Sequence, residues 1–153
     1  FIATATGWRY SAVVLDLSSR LLVRCATNDR LKRNLAVEAL RRALVARNPA
    51  PGLVHHSDRG SQYCSVDYQA LLRKRGILIS MSGRGNCYDN LMVETFFKTI
   101  NSELIWPVAW QSQQQAENAV ARYIDGFYNT VRRHSSLGFQ SPIAFERKAR
   151  EVS

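Results

Sequence analysis

Three features of the sequence predict an α/β fold in which a mixed sheet is flanked by helices. Short β-branched runs dominate the first third of the chain, later apolar runs alternate with helical patterns, and most changes of period coincide with Gly, Pro or a capping residue. The resulting order is β, β, β, α, β, α, β, α.

The opening Phe1-Ile2-Ala3-Thr4 reads as the end of a strand already under way. Arg9 to Asp16 and Arg20 to Thr27 are apolar, β-branched runs separated by Leu17-Ser18-Ser19, the pattern of an antiparallel pair. Asn28 or Asp29 can cap a helix that runs to about Arg47, with Leu31, Leu35, Ala39, Leu40 and Leu44 on one face. Asn48-Pro49-Ala50-Pro51-Gly52 ends it. Leu53 to His56 forms a short strand, a helix from about Ser65 to Arg75 stops at Gly76, and Ile77 to Ser80 is a further buried strand. After the glycine-containing loop Ser82 to Asn86, a helix from about Asp89 to Ile105 carries Glu94 and Lys98 on one face. Another helix spans about Gln113 to Tyr128, and Ser141-Pro142 opens a short last one, with a cap followed by proline at the first helical position. Phe96, Phe97, Tyr123 and Phe127 fit helical core spacing.

The chain has 153 residues, of which 46% are hydrophobic, enough for one domain with a substantial core. Lys and Arg number 21 against 12 Asp and Glu, a formal charge of +9 that favours a polyanionic partner. Cys25, Cys64 and Cys87 are widely spaced and include no Cys-x-x-Cys, which fits free thiols in a reducing cytoplasm. No apolar run approaches the roughly eighteen residues that a membrane-spanning helix needs.

Two carboxylates carry the chemistry. Asp58 follows a strand in His55-His56-Ser57-Asp58-Arg59-Gly60-Ser61-Gln62-Tyr63, and Glu94 lies on a helix in Val93-Glu94-Thr95-Phe96-Phe97-Lys98. A pair of hard oxygen donors in a basic setting suits a divalent cation poised over a phosphodiester. His55 and His56 are adjacent on a strand, so they point to opposite faces and are expected to pack or hydrogen-bond near the site. Asp89 is expected to cap the glutamate-bearing helix, and His134 to make a phosphate or structural contact.

The segments His56 to Tyr63, Met81 to Asn90, Val93 to Lys98 and Tyr128 to Gly138, with Gly7 to Tyr10 and Val13 to Leu17, closely resemble the integrase core of bacterial insertion-sequence transposases, the second-frame product of the insertion sequence 3 family. The resemblance implies an RNase H-like fold with a five-stranded mixed sheet whose first strand is truncated here. It also implies an active site of two aspartates and a glutamate that bind Mg²⁺ or Mn²⁺ and catalyse DNA cleavage and strand transfer. Asp58 and Glu94 match the second and third members. The first falls a few residues before the position matching Phe1, so residues 1–153 read as a single catalytic domain without the upstream part of strand 1 or an N-terminal DNA-binding module, and with impaired activity. Asp16 matches a non-catalytic position and is expected to cap a turn.

Lys98, Arg84, Arg59, Arg132 and Arg133 are the candidate DNA contacts. Asn101 stands where the family usually has a basic residue, which weakens positioning of the DNA end. The implied partners are DNA, as element ends and target, further copies of the chain assembled on it, and a first-frame protein; the implied location is the bacterial cytoplasm, in association with the nucleoid. Two alternatives remain: a DNA-binding remnant without catalysis, and a nuclease whose first carboxylate is Asp16.

Overall fold

The computed structural model describes residues 1–30, 33–81 and 90–153. Its strands are β1 (Ile2–Thr4), β2 (Gly7–Leu15), β3 (Leu22–Asn28), β4 (Val54–Ser57) and β5 (Leu78–Met81). Its α-helices are α1 (Arg33–Arg47), α2 (Val66–Lys74), α3 (Leu91–Ile100), α4 (Gln113–Tyr123) and α5 (Pro142–Val152). The five strands and the mixture of pairings agree with expectation, but the hydrogen bonds divide into two ladders rather than running through one sheet. β1, β2 and β3 pair antiparallel in that order, whereas β4 and β5 pair in parallel. β1 occupies only the Gly7–Arg9 stretch of its edge of β2, so no described strand joins that edge to β4.

The antiparallel ladder is covered on both faces, as the alternation along its strands requires. Tyr10, Ala12, Val14 and Ala26 pack with Leu35 and Ala39 of α1. Val13, Leu15 and Cys25 pack on the opposite side against a cluster that includes Phe96 and Ile100 of α3 and Ala116 and Val120 of α4. A further cluster joins Leu40 and Leu44 of α1 to Tyr68 and Leu72 of α2 and to Ile77. The predicted apolar face of α1 is thus buried at Leu35, Ala39, Leu40 and Leu44. Leu31 lies outside the described residues.

Local caps match the sequence. Ser65 accepts the Tyr68 N–H at the start of α2, Gly76 adopts a positive φ just beyond its end, and Ser141 accepts the Ala144 N–H ahead of Pro142. Phe127 departs from expectation, being 39% exposed. The cause is a π-helical turn over Ile124–Tyr128, in which the Asn129 N–H reaches the Ile124 carbonyl. The wider turn keeps Ala116, Val120, Ile124 and Tyr128 facing inward at four-residue steps and rotates Phe127 outward. A second π-helical turn, Asn101–Ile105, continues α3. Trp110 is buried and donates its indole N–H to the Ile105 carbonyl, whereas Trp106 is exposed.

Two polar ties hold the last third of the chain to the sheet. Buried Asn129 accepts the Leu22 N–H at 2.9 Å and donates to the Leu22 carbonyl at 3.0 Å, standing in for a strand partner. Arg47, at the end of α1, pairs with Glu146 of α5 and Asp16, and the Ser19 hydroxyl donates to Glu146. Replacing Asn129 by Ala leaves both Leu22 groups without that partner, and urea unfolding should show a loss of about 1–3 kcal/mol. A loss within error would mean that the Asn129 bonds contribute nothing.

Candidate active site

Asp58 is presented by the end of β4. The parallel register Val54↔Leu78 through Ser57↔Met81 fixes the strand, and the chain turns at once toward α2. Its Oδ1 accepts the Gly60 N–H at 2.6 Å, a local Asx-type closure. The Gly60 carbonyl in turn accepts the N–H groups of Tyr63 and Cys64, and the Ser65 hydroxyl donates to the Gln62 carbonyl at 2.8 Å. The loop is therefore anchored to the N-terminus of α2.

Glu94 lies in the first turn of α3, behind Asn90 as the N-cap residue, where the helix dipole favours a negative charge. Both carboxylates are exposed, and neither forms an ion pair among the described residues. They line one cavity of about 610 Å³ whose walls come from β2, β4, α1 and α3, with Val13, Leu15, Leu44 and Phe97 among its apolar lining. Among the described residues no group of three His, Cys, Asp or Glu side chains comes together at metal-binding spacing.

Beneath Asp58 the two histidines diverge as their strand positions require. His55 Nε2 meets the Tyr68 hydroxyl at 2.9 Å and its ring packs on Tyr68, while His56 Nδ1 meets the Ser80 hydroxyl at 3.0 Å. Burial, reinforced by His56, lowers the His55 pKa to about 4, so this ring is neutral near pH 7. Asp16 also borders the cavity, but its carboxylate is committed elsewhere. Oδ1 accepts the N–H groups of Ser18 and Ser19, and Oδ2 pairs with Arg47 at 3.3 Å. The turn-capping expectation holds.

The candidate DNA contacts separate into different settings. Lys98 is exposed one turn along α3 from Glu94, Arg59 is exposed beside Asp58, and Arg133 is exposed near the C-terminal turn. Arg132 is only partly exposed and grips Glu103, with Nε and Nη2 at 3.2 and 3.1 Å from Oε1; the Tyr123 hydroxyl also donates to Glu103. That internal partner, far away in sequence, gives Arg132 a structural task. His134 stacks edge-on against Tyr128 at 5.2 Å, one of the two kinds of contact expected for it. Arg84, Asp89 and Cys87 lie outside the described residues. Sequence reading missed Gly60, although its place two residues after Asp58 is the spacing of an Asx turn.

An integrase core domain model matches residues 1–87, and a second model of the same description matches residues 75–142. The chain belongs to the integrase core domain family. Integrase-core relatives at high identity include the transposase InsF for insertion sequence IS3A of Escherichia coli, 42% identical over 148 residues, which cover 97% of this chain and 51% of that protein. The transposase for insertion sequence element IS904 of Lactococcus lactis is 40% identical over 96% of this chain and 58% of its own length. An uncharacterized 31 kDa protein of insertion element IS600 from Shigella sonnei is 40% identical over the full chain. The resemblance to insertion sequence 3 transposases therefore holds over nearly all of this integrase core, which spans about half the length of these relatives.

The fold agrees. The catalytic core domain of BIV integrase superposes with a TM-score of 0.68 at 15% identity, covering 95% of this chain and 91% of that one. The HTLV-2 integrase catalytic core domain in complex with magnesium gives 0.62 at 10% identity, covering 95% and 99%. The RNase H-like expectation is met.

Because His55 is held neutral, its folded pKa lies below the ordinary value of 6.5. Its contribution to stability is therefore full above pH 6.5 and is lost as pH falls toward 4. Urea unfolding of wild type should weaken from pH 6.5 to 5, and His55→Gln should remove that component. Equal slopes in the two proteins would refute the buried neutral imidazole.

Proposed function

We propose that this chain is the catalytic portion of a DNA transposase that cleaves phosphodiesters and transfers strands with a divalent metal. The observation that carries the reading is that Asp58 and Glu94, from different elements, border the same cavity without internal ion pairs among the described residues. Their donor chemistry fits Mg²⁺ or Mn²⁺, hard cations that prefer carboxylate oxygen and retain waters. Asp58 and Glu94 would hold the metal, which when bound supplies Lewis-acid stabilisation of phosphoryl oxygens and a nucleophile active at neutral pH. The chain's own residues do the rest. Gly60 orients Asp58, the α3 N-terminus accommodates the Glu94 charge, and exposed Lys98, Arg59 and Arg133 meet phosphates.

A third carboxylate completes this site if it rides on a strand seated beside β2. The register Ile2↔Arg9, continued upstream of Phe1, leads along Tyr10 to Leu15 and into the cavity bordered by Asp58 and Glu94. Two carboxylates alone would hold such a metal more weakly than three. The partners in this reading are element-end and target DNA, further copies of the chain on that DNA, and a first-frame protein, in the bacterial cytoplasm at the nucleoid; no helix among the described residues is long and apolar enough to cross a membrane. The two-carboxylate set among the described residues supports a second reading, DNA binding without catalysis.

Mn²⁺-dependent nicking of duplex DNA separates the two. A version extended upstream through the adjoining strand should nick, and Asp58→Asn or Glu94→Gln should abolish this while unfolding stability stays within about 0.5 kcal/mol. No nicking in the extended form would favour the binding-only reading, and nicking that survives both substitutions would overturn the site.

Binding to non-specific duplex DNA should weaken steeply with salt, by roughly 0.9 log units per tenfold salt for each phosphate neutralised. Arg133→Ala should reduce that slope by about one, whereas Arg132→Ala should chiefly destabilise the fold through its unpaired Glu103. Salt-independent binding would remove the electrostatic basis of the proposal.

A further inference from the structure

We infer that Gly60 is a positioning residue for Asp58, and that its missing side chain, rather than its backbone freedom, is what the site requires. The inference rests on the reading of Asp58 as a metal ligand. Gly60 donates its N–H to Asp58 Oδ1 at 2.6 Å, and its carbonyl is held by the N–H groups of Tyr63 and Cys64 at 3.0 and 3.1 Å. The donor is thereby fixed by the turn that leads into α2, and the carboxylate is fixed by the donor.

A Cβ built on Gly60 meets Asp58 Oδ1 at 2.8 Å and the Gln62 side-chain Cδ and Nε2 at 3.3 Å. Gly60 is absent from the positive-φ residues of the chain, so alanine is compatible with its backbone. All three crowding atoms are on side chains, and the nearest belongs to the functional carboxylate itself. A methyl group at this position therefore turns Asp58 away while leaving the strand, the loop backbone and α2 in place. At Gly76, by contrast, the nearest atom is a Pro51 ring carbon and φ is +67°. An arrangement that fixes one carboxylate oxygen with a backbone donor orients the ligand before metal arrives, the kind of outer contact whose loss weakens metal affinity roughly 10–100-fold.

The test compares wild type, Gly60→Ala, Asp58→Ala and the double variant by two measurements. The first is Mn²⁺-induced broadening of backbone amide signals around residues 58 and 94, titrated to give an affinity. The second, free of metal, is the residue 60 amide proton shift, together with thermal unfolding. Gly60→Ala should unfold like wild type, bind Mn²⁺ at least about tenfold more weakly, and add nothing in the Asp58→Ala background; Asp58→Ala should move the Gly60 amide proton upfield as its acceptor is lost. Wild-type Mn²⁺ affinity in Gly60→Ala, beside a loss in Asp58→Ala, would overturn the inference and leave the metal site standing. Unchanged Mn²⁺ broadening in Asp58→Ala would overturn the metal site, and with it the inference. An unmoved Gly60 amide proton would remove the hydrogen bond itself, and a Gly60→Ala protein that fails to fold would contradict the claim that only side chains are crowded.

Discussion

Burial of both faces of the β2–β3 ladder is the constraint from which the rest of the structure follows. Its strands alternate apolar side chains to either side, so each face needs a helical cover. α1 covers the face of Tyr10, Ala12 and Val14, and α3 with α4 covers the face of Val13, Leu15 and Cys25. α1 also packs with α2 and supports the β4–β5 pair, while α3 carries Glu94 in its first turn. Covering the two faces thus brings Asp58 and Glu94 to one cavity at the edge of the ladder. The site is a consequence of how the core is closed.

That cavity is lined by residues of both ladders. The edge of β2 from Tyr10 to Leu15 has backbone groups that no described strand pairs, and Val54 of β4 and Leu53 just before it each have more than half their surface exposed. Unpaired strand edges and apolar exposure of this kind are the features that recruit another strand. A seated strand would pair the β2 edge, cover the apolar wall and stand next to both carboxylates.

Much of the fold was legible because it is written in local chemistry. Ser65, Gly76 and the Ser141-Pro142 pair mark helix ends through bonds made within a few residues, and the apolar stripe of α1 follows its period. The placement of Asp58 just after a strand and of Glu94 on a helix, and the turn role of Asp16, were legible through motif and position. Most of what was not legible depends on partners distant in the chain. The pairing of Arg132 with Glu103, the bonding of Asn129 to Leu22 and the outward turn of Phe127 at a π-helical turn all lie beyond what local spacing shows. The role of Gly60 rests on a distance between its absent Cβ and a carboxylate oxygen, which sequence spacing does not encode.

The proposed chemistry requires Asp58 and Glu94 to hold one divalent cation between them. Anomalous diffraction from crystals grown with Mn²⁺ tests this most directly, because the metal is located without reference to activity. The prediction is an anomalous peak bonded to oxygens of both carboxylates. A peak bonded to other side chains, or no peak between these two at saturating Mn²⁺, would contradict the central claim.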